Sequence, residues 1–193
     1  MPGDPWLERW LPLAAGRAGA MPVLELGCGG GRDTATLLRA GLRVVAIDLS
    51  PKLISVARQR CPGAAFHCRD LRAPFPVREA GVIVASLSLH YFPWDETVAL
   101  AARVRDTLRP GGVFLCRLNS TNDHHYGASS HTRIEDNFYL VDGEPKRFFD
   151  EGAVIRLFGA GWRIHSIGEF TVERYEHPKA LWEIVAEKTT DEP

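Results

Sequence analysis

Apolar and polar positions along this chain alternate between two periods: short apolar blocks of strand character, each followed by a stretch of helical spacing. Residues 23–26 form a brief apolar run that ends in glycine, as a buried strand does. Residues 33–39 then carry a helical period closed by Gly41. The unit repeats. Residues 42–47 are apolar and β-branched, and Ser50-Pro51 opens a helix running through residue 58, with proline first in the helix and serine ahead of it. Strands are expected at 65–68 and 82–86, then a helix at 96–108, a turn at Arg109-Pro110-Gly111-Gly112 and a strand at 113–118. The tail changes pattern. A helix at 149–158 precedes strands at 162–171 and 181–186, which are spaced to pair as an antiparallel hairpin on a sheet edge. At the front, residues 5–11 read as a short amphipathic helix and 16–20 as a flexible link. Residues 119–146 show little periodicity and much polarity, and a connection of that length inside a compact domain is usually functional or mobile.

Strands alternating with helices imply right-handed crossovers, hence an α/β fold with a parallel sheet covered on both faces. The 193 residues fit one domain. It divides into an N-terminal helix and link (1–20), a core (21–118), a loop (119–147) and a C-terminal helix with edge strands (148–193). The formal net charge is −1, with acidic and basic residues interleaved. That disfavours a broad phosphate-neutralising face, so no nucleic-acid partner is expected. No stretch approaches the ~20 apolar residues of a membrane span, and the first residues lack the pattern of a signal peptide. The expectation is a cytoplasmic protein with no membrane partner. Of the cysteines, Cys61 and Cys68 lie near His67, but no second ligand pair stands at zinc spacing, so free thiols are expected rather than a metal site.

The richest chemistry lies at Glu25-Leu26-Gly27-Cys28-Gly29-Gly30-Gly31. The segment follows a strand and opens a helix, where glycines let backbone approach a ligand closely. A dinucleotide fingerprint would need a third glycine at position 32, where Arg32 stands, and a phosphate loop would need G-K-[ST], which is absent. The next strand ends in Asp48. A carboxylate at that tip can accept both hydroxyls of a ribose, and Ser50 occupies the helix-capping position in its place.

Together with Arg69-Asp70-Leu71 and Leu108-Arg109-Pro110-Gly111-Gly112, these segments resemble class I S-adenosylmethionine (SAM)-dependent methyltransferases. The resemblance implies a Rossmann-like, seven-stranded, mostly parallel sheet whose final strand is inserted antiparallel. It implies SAM as cofactor and S-adenosylhomocysteine as product. Gly27, Cys28 and Gly29 would pass beneath the methionine part, with Glu25 bracing the loop. Asp48 would hold the ribose, Leu49 and Leu71 would flank the adenine, Asp70 would meet its amino group, and Ser86 would sit at the tip of the fourth strand. One departure is Ala80-Gly81, where relatives often carry an acid.

The segment Ser86-Leu87-Ser88-Leu89-His90-Tyr91-Phe92 follows the fourth strand, beside the transferable methyl in that family. It lacks the N/D-P-P-Y/F signature of adenine-N6 or glutamine methylation. His90 is the candidate general base, with a packed or capping histidine as the alternative. Tyr91, His124, His125 and Tyr126 are candidate acceptor-binding residues, the last three in a stretch that is otherwise a solvated loop. Arg133, Lys146 and Arg147 could orient an anionic acceptor, with surface solvation as the favoured alternative. Trp6 and Trp10, four residues apart, either staple the first helix to the sheet or close it over the cofactor. Pro145-Lys146-Arg147-Phe148-Phe149 and Gly161-Trp162 are similar to the small-molecule branch near the tellurite and thiopurine methyltransferase types. The expected activity is in-line methyl transfer to a small-molecule acceptor. The competing readings are a non-catalytic SAM-binding protein and a nicotinamide-dependent oxidoreductase.

Overall fold

Among the described residues, five helices and ten strands follow one another, and those of the core keep the strand–helix alternation of the hydrophobic pattern. In the computed structural model, which describes residues 5–189, they are α1 (Leu11–Ala18), β1 (Val23–Leu26), α2 (Arg32–Arg39), β2 (Val44–Asp48), α3 (Pro51–Arg60), β3 (Ala65–Cys68), β4 (Ala80–Ser86), α4 (Trp94–Thr107), β5 (Leu108–Asn119), β6 (Thr132–Glu135), β7 (Phe138–Val141), β8 (Glu144–Arg147), α5 (Glu151–Leu157), β9 (Trp162–Val172) and β10 (Lys179–Lys188). Residues 1–4 and 190–193, the outer ends of the first and last expected segments, lie outside the described residues.

Seven strands form one sheet in the order β3-β2-β1-β4-β5-β10-β9. β1 to β5 run parallel, and β10 is antiparallel to both β5 and β9. Both faces are apolar and alternate along each strand. Leu24, Leu26, Ile83, Ala85, Phe114 and Ile184 pack toward α4 and α5. Val23, Val82, Val84, Leu115 and Val185 pack with Trp6, Ala14, Leu37 and Ile54 on the other side. The chain goes from β1 outward to β3, then returns to place β4 on the far side of β1. This reversal opens a crevice at the carboxyl ends of β1 and β4, where open α/β sheets bind ligands.

Three segments differ from the sequence-based reading. The first helix is later: a 3-10 turn at Glu8–Trp10 leads into α1, which includes Gly16 of the expected link. Burial of Ala14 and Ala18, one turn apart, outweighs the roughly 1 kcal/mol that a helical glycine costs, and Gly19 at φ +56° ends the helix. The fifth strand begins earlier, because Leu108 already pairs with Ala80 and residues 109–112 loop out before Val113 pairs with Val82. The polar stretch 119–147 is not a plain loop: β6, β7 and β8 form a separate three-stranded antiparallel sheet.

Gly81 has a packing reason. A Cβ there would lie 2.1 Å from the carbonyl oxygen of Arg17, so the end of α1 rests directly on β4. Trp6 is buried in the α1 face of the core, and its Nε1 donates to Asp33 at 3.2 Å. The Arg117 guanidinium of β5 lies 5.1 Å from the Trp6 ring, a contact with the sheet that fits the staple reading for Trp6.

Candidate functional site

The glycine loop between β1 and α2 is held by its own backbone. Gly27 and Cys28 donate to the carbonyl of Ile47 at 2.8 and 3.0 Å, which ties the loop to the tip of β2. Gly27 has φ +73°, and a Cβ on it would lie 2.3 Å from Cβ of Ser88, so only glycine fits against the turn after β4. Gly29 has φ +53° and nothing within 4 Å of where its Cβ would be, so its free side faces open space.

Glu25 is buried under the loop. Thr34 donates its hydroxyl to Glu25 Oε2 at 2.5 Å, linking β1 to the first turn of α2. Burial pushes the Glu25 carboxyl up to about 8, a shift that the Thr34 hydrogen bond opposes and the nearby Asp33 and Asp48 reinforce. At neutral pH it is therefore mostly protonated.

Asp48 closes the loop from the β2 side. Its Oδ2 accepts from the Gly29 N–H at 2.8 Å and its Oδ1 from the Ser50 N–H at 2.9 Å, while Ser50 caps α3 by accepting from Leu53 N at 3.3 Å. A carboxylate offers about four acceptor positions, so two remain for a ligand. Asp70 sits in the turn after β3, accepting from the Arg72 N–H at 2.7 Å and pairing with the Arg72 guanidinium at 3.3 Å. Arg72 also reaches Glu96.

These groups line one cleft of about 1040 Å³. All nine expected cofactor positions border it: Glu25, Gly27, Cys28 and Gly29 on the glycine loop, Asp48 and Leu49 after β2, Asp70 and Leu71 after β3, and Ser86 at the end of β4. Leu49 is 67% exposed, an apolar face standing open on the cleft. Tyr91 also borders it.

Most of the other expected residues fall outside the lining. His90 is buried behind Tyr91, ring centroids 4.1 Å apart, and does not line the cleft. Burial, with Lys179 and Lys146 nearby, pushes its imidazole down to about 3, so it is neutral and a weak base. Its Nδ1 has no hydrogen-bond partner among the described residues. His124, His125 and Tyr126 form a 3-10 turn outside the cleft lining, with the Tyr126 ring edge-on to that of the lining residue Tyr175, centroids 5.8 Å apart. The cause is a buried ion pair: Asp123 accepts from Lys179 Nζ at 2.5 Å and from the Ala180 N–H at 3.2 Å, folding the end of β5 back onto β10. His125 then stacks on His177, and the Tyr126 hydroxyl donates to the His177 carbonyl at 3.1 Å.

Arg147 is buried under the small sheet. It donates to the Phe92 and Asp136 carbonyls, each at 3.1 Å, and pairs with Glu135. It locks that sheet to the turn after β4 and does not face the cleft. Arg133 is exposed and paired with Asp136. Lys146, by contrast, lines the cleft, as do Arg174 and Tyr175 from the β9–β10 turn. The sequence carried no periodicity to flag that turn. Leu87, also in the lining, adopts φ +56°, a conformation that costs a branched residue strain and recurs at functional sites.

Comparison with known proteins finds methyltransferases. A family model described as a methyltransferase domain matches residues 23–112. Malonyl-[acyl-carrier protein] O-methyltransferase of Serratia marcescens is 34% identical over 71% of this chain and 50% of its own length. Trans-aconitate 2-methyltransferase of Azoarcus sp. is 35% identical over 54% of this chain and 41% of its own. The chain thus spans about half the length of these curated relatives. The crystal structure of a SAM-dependent methyltransferase from Methanosarcina mazei superposes with a TM-score of 0.75 at 21% identity, over 88% of this chain and 93% of that one, which speaks to the fold alone.

Proposed function

The chain belongs to the class I SAM-dependent methyltransferase superfamily, and we propose on that premise that it moves a methyl group from SAM to a small-molecule acceptor. One observation carries the reading: Asp48 bonds the Gly29 N–H across the tips of β1 and β2 while both border the same cleft. The residues present fit the cofactor. Gly29 leaves open space where a side chain would stand, and Asp48 keeps acceptor capacity for two ribose hydroxyls. Leu49 and Leu71 offer apolar faces to either side of an adenine, and Asp70 offers a carboxylate to its amino group. The trans-aconitate methyltransferases among the relatives support an acceptor of small size.

When bound, SAM supplies a methyl already activated by its sulfonium. The chain has to hold the two reactants in line and exclude water, which is worth on the order of 7–11 kcal/mol. Asp48, Asp70 and the loop backbone supply fixed anchors for that purpose. Tyr91 and Phe92 wall the region beyond the end of β4.

Calorimetric titration of the wild type and Asp48→Ala with SAM and S-adenosylhomocysteine tests this. The expected result is submillimolar binding by the wild type and a loss of tenfold or more, about 1.4 kcal/mol or above, in the variant. A well-folded wild type that binds neither compound overturns the reading.

A further inference from the structure

We infer that the acceptor is a carboxylate held by Lys146, at the end of the cleft where β8 meets the turn after β4, so that the product is a methyl ester; this deepens the methyltransferase reading and rests on it.

Lys146 is the third residue of β8 and is half-buried. It lines the same cleft as Gly29 and Asp48 and makes no hydrogen bond or ion pair among the described residues. β8 packs against the 3-10 turn Leu89–Tyr91 that follows β4, and Lys146 borders the cleft together with Tyr91 of that turn. A half-buried ammonium that forms no ion pair is stabilised when an anion arrives. Two tyrosines, Tyr91 and Tyr175, border the cleft with it. Arg174 lies over the Tyr175 ring at 4.8 Å and donates to its hydroxyl at 2.6 Å, which fixes that side of the opening. Glu144 borders the cleft as well, but is exposed.

The imidazole, phenol and thiol groups around this end offer no base at neutral pH. The His90 imidazole is held down at about 3 by burial and by Lys179 and Lys146. Burial raises the Tyr91 phenol, and it raises the Cys28 thiol strongly. Alcohols, phenols and protonated amines need such a base before they can attack. A carboxylate, ordinarily ionised above about pH 4, does not. In the step itself a carboxylate oxygen forms the new bond to the methyl carbon as the methyl–sulfur bond breaks, and the electron pair of that bond stays on sulfur. The negative carboxylate and positive sulfonium become a neutral ester and a neutral thioether, and no proton moves.

The test uses the full chain and SAM carrying a tritiated methyl group. Acceptors are matched by skeleton: hexanoate, hexylamine and hexanethiol; benzoate, phenol and thiophenol; and trans-aconitate as a polycarboxylate. Calorimetry measures SAM affinity for the wild type, Lys146→Gln and Lys146→Arg, and trans-aconitate affinity for each when saturated with S-adenosylhomocysteine. The expected result is label on carboxylates alone, released as volatile methanol by mild alkali. Lys146→Gln is expected to weaken carboxylate binding and raise its KM by about tenfold or more with SAM affinity unchanged, and Lys146→Arg to restore most of both. Alkali-stable label on an amine, thiol or phenol overturns the inference. So does a wild type that binds SAM and labels none of the carboxylates, and so does a Lys146→Gln variant with unaltered carboxylate KM. A wild type that does not bind SAM removes the methyltransferase reading itself, and this inference falls with it.

Discussion

Glu25 and His90 are buried groups displaced in opposite directions, and together they give stability a shaped dependence on pH. The Glu25 carboxyl titrates at about 8 in the fold instead of 4.5, because burial disfavours its charged form. Its stabilising contribution is therefore full below pH 4.5 and is lost as pH rises through about 8. His90 titrates at about 3 instead of 6.5, because burial and two lysines disfavour the imidazolium. Its contribution is full above 6.5 and is lost as pH falls through about 3. Each displaced proton changes stability by about 1.4 kcal/mol per pH unit. Between pH 4.5 and 6.5 the two slopes cancel. From 6.5 to 8 Glu25 acts alone and removes about 2 kcal/mol. Glu25→Gln isolates this effect, since glutamine does not ionise and keeps an oxygen to accept from Thr34. The assay is urea unfolding of wild type and variant from pH 5 to 8.5. The difference, variant minus wild type, should grow by about 2 kcal/mol between pH 6.5 and 8, with contributions from other titrating groups cancelling. A difference that stays constant with pH would refute the reasoning, because it would mean that the folded protein does not hold Glu25 protonated.

Two glycines of the same loop separate packing from ligand contact. Gly27→Ala meets both a positive φ and the Ser88 Cβ at 2.3 Å, and should cost about 2–5 kcal/mol in unfolding free energy. Gly29→Ala meets only the φ strain, at about 1–2 kcal/mol, yet puts a methyl group into the cleft. It should lower SAM affinity in calorimetry while the fold persists, and equal affinity in this variant and the wild type would exclude Gly29 from the binding surface. Lys179→Met leaves the buried Asp123 carboxylate without its 2.5 Å partner and should destabilise by about 3–5 kcal/mol at neutral pH. The double change with Asp123→Asn should recover part of that loss in the same denaturation experiment.

The core was legible because its signals are local. Apolar blocks of four to seven residues became β1, β2, β3 and β4, and the glycines and the acid that end two of them fall on the cleft. Strand β5 was read short because Leu108 pairs across a bulge that only the partner strand defines. The first helix was misplaced for a related reason: Gly16 argues for a link, and only the burial of Ala14 and Ala18 against the sheet overrides it.

The acceptor side was less legible, and the reason bears on its function. Strands β6, β7 and β8 have four residues each, too short to show a period, and their pairing is held by Arg147, whose bonds to the Phe92 and Asp136 carbonyls come from residues 55 and 11 positions away. In sequence, Lys146 and Arg147 look like equivalent cations. The strand separates them, because neighbouring residues on a strand point to opposite sides: Arg147 turns inward to anchor the small sheet, and Lys146 turns to the cleft. Without Arg147 the small sheet loses its hydrogen bond to the Phe92 carbonyl, one of its ties to the segment after β4, alongside the Trp94 N–H that donates to Glu135 at 2.9 Å. On the proposed reading, acceptor recognition draws support from Arg147, a buried residue outside the cleft lining.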